Sequence, residues 1–201
     1  MADRMIVSRS ALAGVAVQGA LGAARSNPGV RIREVTDFAA MSLIARRGRA
    51  TDVAAVLSRH AGSPVVDASK RAGASNISVT GTAPGQWLAL CRGSDAAARL
   101  DALRNDLNGL AAATDQGDGR VVLEITGSRA RDALAKGISI DLDAIAFKVG
   151  DAAQTSTSYV GLQIALIDEA PTFEIISARS TAESLWSWLV ASAAEYGIAV
   201  A

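Results

Sequence analysis

Asp115, Gly117, Asp118 and Gly119 stand together in the stretch TDQGDG, residues 114–119. Acidic side chains set among glycines are the raw material of a cation loop or a phosphate cradle. A calcium loop needs an oxygen donor at every second position and a distal glutamate, yet the alternate positions after Asp115 are glycines. A phosphate loop opens directly into a helix, and here a strand-like run follows. Asp118-Gly119 between two apolar runs instead predicts the tight turn of a β-hairpin. Asp141 with Asp143, and Asp168 with Glu169, have the types of a general acid and base, but each pair falls in a turn, where carboxylates are solvated rather than perturbed. The one cysteine, Cys91, shares a strand face with Trp87 and Ala89, which predicts a buried apolar thiol and not a nucleophile. The one histidine, His60, falls in the last turn of an expected helix, where an imidazolium caps free carbonyls.

One Cys and one His rule out an internal disulfide, a multi-thiolate zinc or iron–sulfur site and most transition-metal chemistry. Lys+Arg and Asp+Glu number 20 each, so no net charge draws the chain to nucleic acid or an anionic membrane. A single cysteine fits a reducing cytoplasm. The apolar half of the composition and the length of 201 residues allow a substantial core.

Positioning these residues falls to alternating strand-like and helix-like segments. VRIREV, MSLIAR, NISVTG, GQWLALC, LAAATD, RVVLEITG, AQTSTSYVG, LQIALIDE and TFEIISAR read as strands. TDVAAVLSRHAG reads as a helix capped by Thr51 or Asp52 and closed by Gly62, and SDAAARLDALRNDLNG as a second with a Leu100, Leu103, Leu107 stripe. SRARDALAKG is a third, capped by Ser128, with Arg129 and Arg131 toward solvent, and STAESLWSWLVASAAEYG the last. This mixture predicts an α+β protein of two lobes, each a mainly antiparallel sheet covered by helices: an extended arm over 1–29, a first lobe over 30–117 and a second over 118–201. The arm contains ALAGVAVQGALGAA (11–24), preceded by Arg4 and Arg9. Gln18 and three glycines argue against a secretory signal, and its lack of period suggests a segment lying on another surface, such as a partner's, before the RSNPG turn at 25–29.

In the last helix Ala182, Leu185, Leu189, Ala193 and Tyr196 form one stripe. Trp186 lies about 60° from its centre and Trp188 about 100° on the other side. Trp188 is therefore the interface candidate, with a core-edge indole covered by the protein's own loops as the alternative.

RSALAG (9–14), APGQWLAL (83–90), the run from 111 to 142 and PTFEIISARSTAESLWSWLVASAAEYG (171–197) resemble the gamma subunits of heterotetrameric sarcosine oxidase over nearly the whole chain. That family is similar in turn to the folate-binding aminomethyltransferases, whose D-x-S…G-x-x-A stretch is echoed by Asp115, Gly117, Gly127 and Ala130. The resemblance implies an aminomethyltransferase-type pair of ferredoxin-like lobes. It also implies a cofactor-free subunit that stabilises alpha in an alpha-beta-gamma-delta complex, with NAD and tetrahydrofolate on alpha, FAD and FMN on beta and zinc on delta. Such a complex oxidatively demethylates sarcosine to glycine with oxygen, giving hydrogen peroxide and formaldehyde or 5,10-methylenetetrahydrofolate. The chain departs from the transferases at Gly161-Leu162-Gln163-Ile164, where they place an acidic pair. Cys91 lies in no Lys-Gly-Cys context of the kind found in relatives that serve iron–sulfur assembly. No catalytic, cofactor-binding or metal-ligating residue is assigned. The alternative is a stand-alone folate-dependent one-carbon protein, and a third reading is a binding module for an unrelated partner.

Overall fold

Apolar residues alternate in VRIREV and recur every third or fourth position in ATDVAAVLSRHA, which gives the first a strand period and the second a helix period. The computed structural model describes residues 9–23 and 27–201. The chain runs through β1 (Gly19–Leu21), β2 (Val30–Val35), β3 (Phe38–Ala45), α1 (Ala50–Ala61), β4 (Arg71–Gly73), β5 (Ile77–Ala83), β6 (Gln86–Arg92) and α2 (Ala96–Asp106). It continues through β7 (Ala111–Asp115), β8 (Arg120–Thr126), α3 (Ala130–Ala135), β9 (Ala152–Thr157), β10 (Val160–Asp168), β11 (Thr172–Ala178), α4 (Ala182–Ala193) and β12 (Ile198–Val200).

The strands form a five-stranded sheet, β4-β5-β6-β3-β7, and a seven-stranded sheet, β1-β12-β2-β8-β11-β10-β9. In the first, β3-α1-β5-β6-α2-β7 is a ferredoxin-like unit with antiparallel pairing throughout. β8-α3-β10-β11-α4-β12 repeats that order, but β2 is inserted between β12 and β8, parallel to the former and antiparallel to the latter. Val30–Val35, grouped with the first lobe in the sequence reading, is thus part of the seven-stranded sheet. Its apolar face decides this: Val30 and Ile32 are buried in the core under α3 and α4.

Side-chain alternation sends each strand into two environments. Val121, Leu123 and Ile125 of β8 pack against Ala130, Leu134, Leu185 and Leu189, while Met41, Leu43, Trp87, Ala89 and Cys91 pack against Val53, Leu57, Leu100 and Leu103. The opposite faces meet across Val35, Ala40, Leu88, Leu90, Val122 and Ile176. The result is a four-layer stack with two sheets face to face and helices outside. A seam of main-chain bonds, Arg71 N–H to Gly150 O at 2.8 Å and Ala152 N–H to Ser69 O at 3.3 Å, joins the sheets at one end, beside the Lys70–Asp151 ion pair. No described helix is long and apolar enough to cross a membrane.

Three local expectations are corrected. Asp118-Gly119 is not a hairpin turn: Gly117–Gly119 is one turn of 3-10 helix that carries the chain from β7 in one sheet to β8 in the other. Neither Gly117 nor Gly119 adopts positive φ; the Gln116 N–H bonded to Ala40 O at 2.8 Å and the Asp115 carboxylate on the Gly117 N–H at 2.9 Å shape the turn instead. The expected side-chain caps at Thr51, Asp52 and Ser128 are not formed, the helices beginning after Arg49 and Arg129 without a capping side chain. The described part of the arm lies on its own chain. Leu12 is 1% exposed in the core, Ser10 and the Ala11 N–H bind the Glu34 carboxylate, and β1 pairs with β12. Arg4 and residues 25–26 of the RSNPG turn lie outside the described residues.

Candidate functional site between the sheets

The inner face of the seven-stranded sheet carries two carboxylates where a sandwich core would carry aliphatics. On β8, Val121, Leu123 and Ile125 point out to the helices, so Arg120, Val122 and Glu124 point inward; on β11, Glu174 and Ile176 do the same. Glu124 and Glu174 are direct cross-strand partners. Two like charges so placed repel. Arginines from three strands resolve the conflict. Arg33, opposite Glu124 on β2, binds it through Nε at 3.1 Å. Arg92 of β6 forks across both carboxylates, one Nη to Glu124 and the other to Glu174 at 2.6 Å, and Arg71 of β4 gives its Nε to Glu174 at 3.1 Å. The Glu174 and Arg71 side chains are only 1% and 7% exposed. Burial opposes ionisation of Glu124, but the hydrogen bonds from Arg92 and Arg33 outweigh it and hold the carboxyl below its ordinary range. Carboxylates saturated in this way are acceptors only, and their chemistry is that of a clamp between sheets.

Two clefts flank this network. One, of about 610 Å³, lies where the arm crosses the 3-10 turn and is lined by Arg9, Glu34, Phe38, Asp118, Arg120 and Arg179, among others. The second, of about 430 Å³, opens between β5–β6 and β9–β10 and is lined by Ser42, Thr82, Gln86, Arg120, Gln154 and Gln163, among others, with no carboxylate in its wall.

The residues singled out in the sequence do not converge. His60 is in the last turn of α1, but its Nε2 lies 2.9 Å from an Asp106 carboxylate oxygen, so it clips α1 to α2 rather than capping carbonyls. Cys91 is fully buried, and burial pushes its thiol up to about 11. Asp141 and Asp143 accept main-chain N–H groups two residues ahead, as does Asp168, which also accepts from Thr172; these are turn-forming contacts. Arg129 does face outward, paired with Asp132 at 2.7 Å. Arg131 does not: its guanidinium bonds the Leu142 and Phe147 carbonyls and lies 5.3 Å from the Phe173 ring centre, fastening the 138–147 loop. Trp186 is buried, and Trp188 is half-buried against the core, with its indole edge over Gly137. Among the described residues no three His, Cys, Asp or Glu side chains gather as metal ligands.

Sequence reasoning missed the clamp. Its signal was present in RVVLEIT and TFEIISA, where a glutamate interrupts an apolar strand at the parity of the inner face.

The chain is similar to known proteins in sequence and in fold. The sarcosine oxidase, gamma subunit family matches residues 47–195. The structure is similar to a chain of the heterotetrameric sarcosine oxidase from Corynebacterium sp. U-96 in complex with pyrrole 2-carboxylate, with 26% identity and a TM-score of 0.80 over 94% of this chain and 95% of that one. It is also similar in fold to glycine cleavage system aminomethyltransferase T from Bartonella henselae, with a TM-score of 0.63 at 13% identity, over 87% of this chain but 48% of that one. No curated protein matches the sequence. With its two lobes laid out as in that oxidase chain and the family match running from before α1 to the end of α4, the chain belongs to the sarcosine oxidase, gamma subunit family.

Proposed function

We propose that this chain is a non-catalytic subunit that stabilises the alpha subunit of an alpha-beta-gamma-delta sarcosine oxidase. In this reading the complex oxidatively demethylates sarcosine to glycine with oxygen, giving hydrogen peroxide and formaldehyde or 5,10-methylenetetrahydrofolate. FAD, FMN, NAD, tetrahydrofolate and zinc sit on the other subunits, and the assembly is cytoplasmic. The observation that supports it best is the near full-length likeness to a chain of a heterotetrameric oxidase, at an identity above that of fold likeness alone. The inner-face chemistry agrees with a scaffold: Glu124 and Glu174, the most deeply enclosed carboxylates of the site, are tied up by arginines and hold two sheets together.

Trp188 remains the interface candidate, now as a half-buried indole whose edge packs on Gly137. The test is to express alpha, beta and delta with and without this chain and to follow sarcosine-dependent peroxide formation during incubation at rising temperature. Loss of alpha from the soluble complex when this chain is omitted supports the stabilising role. Full activity and unchanged thermal lifetime without it would refute that role, and tetrahydrofolate retained by the lone chain would favour the stand-alone folate-dependent alternative.

A further inference from the structure

Arg120 is an inner-face arginine that the clamp does not use. Among the described residues its side chain forms no hydrogen bond or ion pair, and its Nε is buried without a partner. A guanidinium held partly out of water with no counter-charge is costly, and an anion brought to it recovers that cost. Arg120 lines the cleft of about 430 Å³ between the sheets, a volume typical of a small-molecule site. A second donor faces the same space. Gln163 of β10 is 5% exposed; its Oε1 accepts a 3.0 Å bond from Gln154, which leaves its Nε2 without a partner among the described residues.

The sheet register places the two. Gln163 opposes Ile176, Ile176 opposes Val122, and Arg120 lies two residues along β8 from Val122, so both side chains stand on the inner face, two strands apart. That offset is about 10 Å across the strands and about 7 Å along them, within reach of one small ligand gripped by two long side chains. Ser42 and Thr82, at inner-face positions, border the space with their hydroxyls, and Leu88 and Ile176 give it an apolar wall. Gly161, on the same face of β10, leaves room: a Cβ built there meets no atom within 4 Å.

We propose that this cleft binds an organic carboxylate, with the Arg120 guanidinium as its ion partner and the Gln163 amide as its second donor. One guanidinium beside a neutral amide matches a single negative charge, and its planar fork matches a carboxylate. The apolar wall takes the carbon skeleton. In the assembled oxidase the carboxylate comes either from a free small acid or from an acidic side chain of another subunit.

The test uses the ¹⁵N-labelled full chain and the Arg120 Nε–Hε resonance, identified by its loss in Arg120→Lys. Sodium glutarate is titrated at constant ionic strength, with sodium chloride and sodium phosphate as controls. Saturable movement of that resonance by glutarate alone supports the site. Gln163→Leu is expected to weaken glutarate binding about tenfold, as for a lost hydrogen bond to a charged group. Gly161→Leu, which fills the open space, is expected to abolish the saturable response. Movement that does not saturate, movement produced equally by chloride or phosphate, or a response unchanged in both variants would overturn the proposal. Saturation transfer to glutarate in the assembled oxidase then separates the two sources. Transfer that Gly161→Leu removes identifies a free acid; transfer that this variant leaves unchanged, from a chain that binds glutarate alone, identifies a partner's carboxylate in the cleft.

Discussion

Replacing Glu174 by Gln removes one negative charge from between the sheets at nearly constant side-chain volume. Arg92 keeps Glu124 as a partner, but Arg71, 7% exposed, has Glu174 as its only carboxylate among the described residues. The substitution therefore strands one enclosed guanidinium, and breaking a buried pair in this way costs about 3–5 kcal/mol. The remaining amide oxygen still accepts one hydrogen bond, which puts Glu174→Gln near the lower end. For a chain of this length that corresponds to a fall in Tm of roughly 10 °C. Urea unfolding of the purified full chain, followed by tryptophan fluorescence, measures it directly. Adding Arg71→Met removes the stranded charge, so the double variant should recover a large part of the loss instead of adding to it. A loss under about 1 kcal/mol for Glu174→Gln, or strict additivity in the double variant, would show that water already solvates the clamp and would refute the reasoning.

Four further outcomes follow from contacts described above. Glu124 titrates below its ordinary value of 4.5 in the folded state, so its share of stability is complete above that value and is lost as pH falls through the folded pKa; Glu124→Gln should flatten the acid limb of stability against pH in urea titrations. Cys91, with a thiol near 11 and no exposure, should resist an aromatic disulfide reagent at neutral pH in the native chain and react at once in urea. Its raised pKa also predicts that stability falls as pH rises from 9.0 toward 11, a fall that Cys91→Ala should remove. Gly137→Ala places a methyl 2.7 Å from the Trp188 Nε1 and 2.9 Å from the Thr157 hydroxyl, which should cost about 1–3 kcal/mol and shift the tryptophan emission.

Much of the fold was legible because periodicity is local. The Leu100, Leu103, Leu107 stripe and the Trp87, Ala89, Cys91 face are both buried as their spacing requires, and Gly62 closes α1 in the left-handed conformation. What failed needed long-range information. Asp118-Gly119 between apolar runs has the composition of a hairpin, but whether two consecutive strands pair is decided by the sheets that claim them, and β7 and β8 are claimed by different ones. Arg131 has the position of a solvent-facing helix residue until the 138–147 loop closes over it and offers carbonyls. The clamp escaped for the same reason. Glu124 and Glu174 acquire meaning only when Arg71 and Arg92, far away in sequence, arrive from the facing sheet. Trp188 could not be placed from helical spacing alone: it is half-buried against the core, with its indole edge over Gly137.

Native mass spectrometry of this chain co-expressed with candidate alpha, beta and delta subunits tests the central claim most directly. The account predicts a single assembly with one copy of each subunit, from which alpha is lost as a soluble species when this chain is left out. An alpha-beta-delta complex that forms and persists without it, with this chain recovered alone, would contradict the account.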